Sequence, residues 1–436
     1  AYLGELGGPS RGCLAAPACG RSELIIVRLL VITPHFTPDT APTGVVISAL
    51  VEEWCRLGHH THVVTSLPWY QEHRVADGWT GRAARRGYHG TATLTRLFPF
   101  PVRKDHTGRR AAAFGAFTAM AAMAAIATRG PFDAVVAVSP PITLAFAARL
   151  AAWRHGCPMV LNVQDVFPDV AVTVGELRSP RLIRSAGRLE RAAYRASDAV
   201  TVLSADVEVN ITAKVASLGH PPVVETIPNF VDSENLRPLD RLTDYRHEHR
   251  LGDRIVVMYA GNLGHSQPLD LVLEAARRHR HRDDLVYVIN GGGVRFQDLA
   301  SAANGLPNLV VVGYQPADRL PEVLATGDIH LVLLKAGLAS ASVPSKAYSV
   351  LAAGRPVVAS VDPGSEVARM VTDAGAGFAV PPDDPEALIT AVEHLAGEPE
   401  LRNRLGAGGR VWAEKCRSSR TVAAAYLGLV ERLGGP

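Results

Sequence analysis

A lysine with no acidic neighbour stands where a helix is predicted to begin. The stretch SASVPSKAYSVLAAGRPVVAS (residues 340–360) is typical of a loop, a helix and a buried strand. Proline is tolerated in a first helical turn, and Ser342 or Ser345 is able to cap the free backbone N–H groups there. Lys346 adds positive charge where the helix dipole already favours anions, and Ser345 and Ser349 share one face. The pattern predicts an anion site that fits a diphosphate; an ordinary exposed lysine beside a serine cap is the alternative.

Glycine-rich turns follow two other apolar runs in the same half of the chain. The first, YAGNLGHSQ, contains Gly261 and Gly264, and the second, INGGGVRF, begins its glycines at Gly291. Glycine lets a backbone approach a phosphate closely, although a tight turn without a ligand has the same composition. Glu366 follows Ser365, a predicted cap, in the first turn of a later helix. It either stabilises that helix dipole or, facing a cleft, holds sugar hydroxyls.

The elements that must position these residues alternate along the chain. From residue 24 onward, short β-branched runs are followed by longer helical stretches, and the runs are apolar throughout, as in parallel strands covered on both faces. The polar, weakly periodic stretch 227–254 interrupts this alternation, which then resumes. The sequence predicts an α/β fold of two doubly wound, Rossmann-like domains that face each other across a cleft.

The predicted boundaries follow from this alternation. Residues 1–23 are rich in glycine, alanine and proline and lack the pattern of a secretory signal, so they are predicted to be a disordered leader or a mis-assigned start. The N-terminal domain spans 24–226, the linker 227–254 and the C-terminal domain 255–409. Residues 410–436 are expected to form a C-terminal helix that packs back on the N-terminal domain.

Composition narrows the functional classes. Hydrophobic residues make up 47% and charged residues 20% of the 436, and the net charge of +3 is too small to indicate nucleic-acid binding. The five cysteines form no C-x-x-C pair, so neither a disulfide framework nor a zinc site is predicted, and a reducing cytoplasm fits best.

Two arginine clusters and one apolar run raise the question of a membrane. The clusters, at 81–87 and 103–110, are either solvated loops or a patch that meets an anionic membrane surface. The charge-free run Ala111–Thr128 just reaches the length of a spanning helix. Because alanine dominates it, we favour a packed helix, with partial immersion at the membrane surface as the alternative.

The motifs of the chain, and the order in which they follow one another, resemble those of the GT-B glycosyltransferases of family four, a large retaining group. The resemblance covers residues 24 to 433, and no single motif carries it. The matching segments are LLVITPHFTPDTAPTG, IPNFVD, AGNLG, GYQP, LAAGRPVVAS and SEVARMVTDAGAGFAVPPDDPEAL. Two others, NVQDVFPDVAVTVG and PSK, resemble the bacterial branch that builds exopolysaccharide, O-antigen and colanic-acid-type glycans.

The resemblance implies that a hexosyl residue is transferred, with retention, from a nucleotide sugar, most simply a UDP-sugar. It implies no metal and no cofactor, because the nucleotide sugar is a substrate. The C-terminal domain would hold this donor, with Tyr314 beside the nucleobase, and the N-terminal domain the acceptor. By match, the donor-binding residues are Gly44, Gly261, Asn262, Gly264, Gln267, Gly291, Tyr314, Ser345, Lys346, Ser349 and Glu366. His35 and Asp165 are assigned to the acceptor, and Asp165 and Lys346 to catalysis; a structural aspartate after a strand is the alternative for Asp165.

The chain departs from the family at its charged donor contacts. Many members carry an arginine and a lysine where this chain has Asn262 and Gln267. Many also carry two glutamates eight residues apart where this chain has Ala341 and Ser349. Lys346 is therefore predicted to supply the cationic charge that the other positions lack.

The sequence leaves three functional hypotheses open. The first is a glycosyltransferase of cell-surface polysaccharide synthesis, acting in the cytoplasm on a glycan or lipid-linked acceptor, with peripheral contact to the inner face of the plasma membrane and no nucleic-acid partner. The second is a sugar-nucleotide epimerase of the same architecture. The third is a non-catalytic glycosyltransferase-like subunit that has lost the glutamates. A dinucleotide dehydrogenase is disfavoured because no G-x-G-x-x-G follows the first strand.

Overall fold

The computed structural model describes residues 26–70, 74–101, 107–415 and 418–434, which form two sheets flanked by helices. The predicted leader lies outside the described residues, as does the start of the second arginine cluster. Neighbouring strands are parallel in both sheets, except for one antiparallel pair at the edge of the N-terminal sheet. The fold class predicted from the alternation is therefore confirmed.

The N-terminal sheet has eight strands in the order β3-β4-β2-β1-β5-β6-β7-β8 within the described part of the chain. Its strands are β1 (Arg28–Ile32), β2 (His60–Ser66), β3 (Ala84–His89), β4 (Ala92–Leu97), β5 (Ala134–Ser139), β6 (Met159–Val163), β7 (Ala199–Val202) and β8 (Val223–Thr226). The helices around it are α1 (Pro42–Arg56), α2 (Thr107–Ala127), α3 (Leu144–His155), α4 (Asp169–Thr173), α5 (Pro180–Arg195) and α6 (Ala205–Val215). Every residue of β5, β6 and β7 is buried, since helices cover both faces.

The first arginine cluster lies partly in a strand, where the sequence predicts a loop. Strand β3 pairs antiparallel with β4 at the edge of the sheet, and the turn between them is the two residues Gly90–Thr91. Gly90 has a φ of 55°, which glycine adopts without strain. A glycine between two segments with β-branched or aromatic residues is the sequence signal for this hairpin.

The C-terminal sheet has six strands in the order β11-β10-β9-β12-β13-β14. Its strands are β9 (Ile255–Ala260), β10 (Leu285–Asn290), β11 (Leu309–Val312), β12 (Ile329–Leu333), β13 (Val357–Ser360) and β14 (Gly377–Val380). The later helices are α7 (Asp244–Glu248), α8 (Asp270–Arg278), α9 (Phe296–Ala303), α10 (Leu320–Thr326), α11 (Lys346–Ala352), α12 (Glu366–Asp373), α13 (Pro385–Gly397), α14 (Pro399–Lys415) and α15 (Ser419–Arg432). A short 3₁₀ helix, Ala317–Arg319, precedes α10.

The last helix returns to the N-terminal sheet. Helix α15 packs on α1, where the indole N–H of Trp54 donates to the carbonyl of Ala423 over 3.1 Å. The hydroxyl of Tyr426 accepts a 2.7 Å hydrogen bond from the side-chain amide of Asn162 on β6. Because these groups are buried, their hydrogen bonds fix the helix in one position.

Helix α2 is buried along one stripe only. Ala113, Phe117, Ala121 and Ala125 recur every fourth residue and pack on the sheet. The opposite face is also apolar, and Met123 there is 64% exposed. By length and composition, residues 108–127 are the one stretch of the described chain that could cross a membrane, and only 17% of the window is buried.

Candidate functional site

A cavity of about 410 Å³ lies between the two sheets, beyond the carboxyl ends of their strands. The N-terminal side of its wall comes from the loop after β1, the first turn of α1 and Tyr70. The C-terminal side comes from the segments that follow β9, β10 and β11 and from the first turns of α10 and α11. Five residues predicted for the site line it: Gly261, Asn262, Tyr314, Lys346 and Ser349.

Lys346 is the first residue of α11, and its ammonium group points at an aromatic ring. The Nζ atom is hydrogen-bonded to the hydroxyl of Tyr259 and lies 3.9 Å from the centre of that ring. Among the described residues, no carboxylate forms an ion pair with it. Burial lowers the pKa of Lys346 to about 7, because the charged form loses water without gaining a counter-ion.

The predicted serine cap of this helix is not formed. Ser345 occupies the position before α11, but its φ of −58° and ψ of −20° are already helical and its hydroxyl makes no capping bond. A capping side chain needs an extended backbone to reach the next N–H groups. The hydroxyl of Ser342, the other candidate, donates instead to the carboxylate of Asp165.

The two glycine-rich turns pack backbone against backbone beneath Lys346. A Cβ atom on Gly291, whose φ is 155°, would lie 1.9 Å from the carbonyl oxygen of Gly261. A Cβ atom on Gly261 would lie 3.5 Å from the Nζ of Lys346. Gly291 must therefore be glycine to avoid this clash, and Gly261 has a φ of 144°, a backbone conformation that favours glycine.

Asn262, Gly264 and Gln267 form one small unit next to that turn. The N–H of Gly264 donates to the side-chain oxygen of Gln267 over 3.2 Å, and a Cβ on Gly264 would meet the amide of Asn262 at 2.8 Å. Asn262 lines the cavity, whereas Gly264 and Gln267 hold the turn behind it.

Tyr314 closes one side of the cavity. Its ring lies over the second glycine of the β10 turn, where a Cβ on Gly292 would come within 2.7 Å of ring carbons. Burial, and after it the neighbouring phenol of Tyr70, raises the pKa of Tyr314. Tyr314 and Tyr70 both line the cavity, one from each half of the chain.

His35 and Gly44 lie on the N-terminal side. The Nδ1 atom of His35 is 2.7 Å from a carboxylate oxygen of Asp39, and its ring stacks on Trp69 with centroids 5.6 Å apart. Asp39 lines the cavity and also accepts a hydrogen bond from the N–H of Tyr70. A Cβ on Gly44 would lie 3.0 Å from the Cβ of His35, so Gly44 supports the histidine from behind rather than lining the cavity.

Asp165 and Glu366 lie at contacts between the two halves and do not line the cavity. The carboxylate of Asp165 accepts a 2.6 Å hydrogen bond from Ser342, and burial raises its pKa, an effect that this bond opposes. Glu366 follows the Ser365 cap of α12, as predicted, and pairs with Arg369 at 3.0 Å. Arg369 also pairs with Asp206 of α6.

Several residues of the site were not predicted from the sequence. Among them are Tyr259, which contacts Lys346, and Asp39 and Asn290, which line the cavity. The four-residue spacing of His35 and Asp39 is a signal for their pairing. Tyr259 gave no such signal, because a tyrosine at the end of a buried strand is typical of any core. The described residues contain no group of three or more metal-ligating side chains suited to an ion.

Both halves of the chain are similar to known proteins. Residues 43–230 match the family model described as "Glycosyl transferase 4-like domain". Residues 243–412 match the model described as "Glycosyl transferases group 1". The putative colanic acid biosynthesis glycosyl transferase WcaI of Escherichia coli (strain K12) is 27% identical over 377 residues, which are 84% of this chain and 91% of WcaI.

Solved structures share the fold over nearly the whole chain. Sucrose-phosphate synthase from Thermosynechococcus elongatus has a TM-score of 0.71 at 16% identity, over 93% of this chain and 99% of its own. HepE of Anabaena in complex with UDP-glucose has a TM-score of 0.66 at 14% identity, again over 93% and 99%. Both halves of the chain match glycosyltransferase family models, and the solved structures share its fold. These findings agree with the family that the sequence motifs indicate. The chain belongs to the family-four glycosyltransferases and is a glycosyltransferase of the GT-B fold.

Proposed function

We propose that the protein transfers a hexosyl residue, with retention, from a UDP-sugar to a glycan or lipid-linked acceptor in cell-surface polysaccharide synthesis. The observation that carries the donor half is Lys346, a cation without a carboxylate partner among the described residues, in the wall of the cavity between the sheets. The colanic acid biosynthesis named for WcaI supports the polysaccharide, and the UDP-glucose bound to HepE supports the donor class. The epimerase and the non-catalytic subunit are not favoured by these relatives.

The proposed chemistry concerns the charge that develops as the donor is cleaved. Breaking the bond to the anomeric carbon leaves a nucleoside diphosphate with increasing negative charge. A fixed cation in a site with little water stabilises this charge more than it stabilises the intact donor. Lys346 is proposed as that cation, beside the Gly261 turn and the amide of Asn262, and the ring of Tyr314 is proposed to lie against the nucleobase.

The acceptor is proposed to enter from the N-terminal side, next to His35. The Nδ1 atom of His35 pairs with Asp39, which fixes the orientation of the imidazole. The other ring nitrogen, Nε2, is then proposed to contact an acceptor hydroxyl. Asp165 is engaged by Ser342, so the role predicted for it, to orient or deprotonate the acceptor, requires that hydrogen bond to break. Transfer with retention needs no protein nucleophile in this proposal, and none is assigned.

Peripheral contact with the inner face of the plasma membrane is part of the proposal. The exposed apolar face of α2 and the arginines of β3 support it, because such a combination favours the surface of an anionic bilayer. The protein would then work in the cytoplasm at the site where lipid-linked acceptors are found.

A binding screen across nucleotide sugars tests the donor proposal. We expect a UDP-sugar to raise the melting temperature of the protein, and Lys346→Met to weaken its binding and lower kcat by about 100-fold or more, as for removal of one group that stabilises transition-state charge. Lys415→Met removes the same charge from an exposed position on α14 and should change neither. If the Lys346→Met variant kept full donor affinity and kcat, the role of Lys346 would be wrong.

A further inference from the structure

A second, larger cavity lies away from the cleft, at the edge of the N-terminal sheet. This groove, of about 960 Å³, runs between the β3–β4 hairpin and the C-terminal end of α2. Thr93 and Thr95 of β4 and His62 of β2 line it on the sheet side. Ala124 and Ala127 line it on the helix side.

The groove carries positive charge and no negative charge. Arg86 and Arg129 line it, and no aspartate or glutamate of the described residues does. Neither arginine forms an ion pair with a carboxylate of the described residues. Arg85 is the neighbour of Arg86 in β3, but its guanidinium lies over the ring of Trp79 at 4.6 Å from the centre, with Arg96 on the other face of the sheet. Two guanidinium groups on one concave surface, without acids to balance them, favour an anionic ligand.

The sheet side of the groove is polar but uncharged. The two ring nitrogens of His62 are 2.7 Å and 3.1 Å from the hydroxyls of Thr93 and Thr95. Burial, and after it the charge of Arg86, lowers the pKa of His62 to about 4, so the ring is neutral at physiological pH. A bound anion near Arg86 would offset that charge and raise the pKa of His62, which makes this ring an internal reporter of binding.

Apolar surface adjoins the arginines. Met123, which is 64% exposed, stands four residues before Ala127 and so shares its face of α2. Tyr88, on the β3 side of the groove, is 79% exposed and joins an apolar ring to a polar hydroxyl. An anionic site bordered in this way fits a ligand with a charged head and an apolar chain better than a small free anion.

We propose that this groove binds the phosphate group of an anionic lipid, with the lipid chains lying along the exposed face of α2. The lipid phosphate would contact Arg86 and Arg129, with the hydroxyls of Thr93 and Thr95 beneath it. The inference deepens the membrane contact proposed above and depends on it for access to lipid. It is independent of the donor, because the groove and the cleft share no lining residue.

A soluble lipid tests the groove without a membrane. Binding of dihexanoyl phosphatidic acid, kept below its micelle concentration, is measured by calorimetry on the full chain. We expect the double variant Arg86→Ala/Arg129→Ala to bind at least about tenfold more weakly, because two charge-assisted contacts are lost. The matched control is Arg278→Ala/Arg280→Ala, which removes the same charge from exposed positions at the end of α8 and should bind as the wild type does. Melting temperatures of both variants establish that they fold.

Three comparisons separate the alternatives. Dihexanoyl phosphatidylcholine should bind at least about tenfold more weakly than the acid, and saturation with the acid should raise the pKa of His62 in proton NMR titrations. Equal affinity for inorganic phosphate would identify a site for free anions and overturn the lipid assignment. An equal loss of affinity in both double variants, or an unchanged His62 titration, would show that the lipid does not bind in this groove.

Vesicles distinguish failure of the groove from failure of the membrane proposal. Co-sedimentation is measured with phosphatidylcholine vesicles that contain about 30% phosphatidylglycerol, a composition chosen to mimic an anionic bilayer. Binding that is equal for wild type and the Arg86→Ala/Arg129→Ala variant would leave membrane contact standing and overturn the groove as its basis. Absence of vesicle binding by the wild type would overturn both.

Discussion

At the scale of single residues, the site depends on one cation whose environment is unusual. Lysine is rarely buried without an acid, since desolvation penalises its charged form. Lys346 is held by the ring and hydroxyl of Tyr259 instead. An aromatic partner stabilises the ammonium group without neutralising it, so the charge remains available for a phosphate. Nearby Asn262 and Gln267 supply amides and no charge, which concentrates the electrostatic role on Lys346.

The pKa of Lys346 makes donor binding dependent on pH. The free protein holds this group at a pKa of about 7, below its ordinary value, and a bound diphosphate would raise it again. Protons should therefore be taken up on binding near neutral pH. Above about pH 7 the affinity should fall by up to about tenfold per pH unit, because the protonated fraction falls in that proportion. Calorimetry in buffers of different ionisation enthalpy measures both effects.

Lys346→Met provides the control for this pH profile. The variant has no group to titrate at that position, so its weaker binding should not change with pH between about pH 6 and pH 9. A flat profile in the wild type, or the same slope in wild type and variant, would show that another group is responsible.

At the scale of elements, the segment between the sheets is fastened to the C-terminal sheet. The carboxylate of Asp328, just before β12, pairs with Arg241 at 2.6 Å and with Arg246 of α7 at 2.7 Å. It also accepts a 2.8 Å hydrogen bond from the N–H of Val256 on β9. Asp328 and Arg246 are both buried, so each depends on the other to offset the loss of water.

Asp328→Ala should lower the free energy of unfolding by about 3–5 kcal/mol, because it leaves Arg246 buried and unpaired. Burial acts to raise the pKa of Asp328, but the hydrogen bonds from Arg241 and Val256 and the charge of Arg246 outweigh it, so the pKa is lowered. This contribution is complete above the unfolded-state pKa of 3.8 and is lost as the pH falls through the lower folded-state value.

Urea unfolding at pH 7 and at lower pH measures both the loss of unfolding free energy and its dependence on pH. Asp283→Ala is the matched control, since Asp283 is exposed and has no ion pair among the described residues. We expect that variant to lie within about 0.5 kcal/mol of the wild type. A similar loss in both variants would contradict a specific role for Asp328.

At the scale of the whole molecule, the two halves touch on the far side of the cavity as well as around it. Asp165 meets Ser342, and the N–H of Val166 donates to the carbonyl of Ala341 over 2.8 Å. A second contact joins Asp206 to Arg369 at 3.0 Å. Buried apolar residues of both halves, among them Val166 and Leu338, also belong to one cluster, so the contact combines polar pairs with apolar packing.

Ser342→Ala should loosen the contact between the halves. The change removes the hydrogen bond to a recessed carboxylate, which costs about 1–3 kcal/mol and should favour more open conformations. Small-angle X-ray scattering should then give a larger radius of gyration than for the wild type. Ser340→Ala is the control, because the Ser340 hydroxyl has no hydrogen-bond partner in the described part of the chain. An unchanged radius in Ser342→Ala would contradict a closing role for the Asp165–Ser342 bond.

The sequence by itself determined the classes of element and the family. Runs of β-branched residues and helical periods depend on neighbours a few positions apart, so two parallel sheets with covering helices could be predicted without a structure. The position of Lys346 at the start of a helix is local in the same sense and was predicted correctly. The β3 strand was not, because its arginines and glycine are as typical of a loop as of an exposed edge.

Only the tertiary structure decided which side chains meet. Tyr259 contacts Lys346 across 87 residues, and Asp165 meets Ser342 across 177. The groove beside α2 likewise joins residues of β2, the hairpin and α2. These contacts depend on the order of strands in the sheets and on how the two halves approach each other. A local pattern contains neither, since side chains far apart in the chain are brought together by the packing of whole elements.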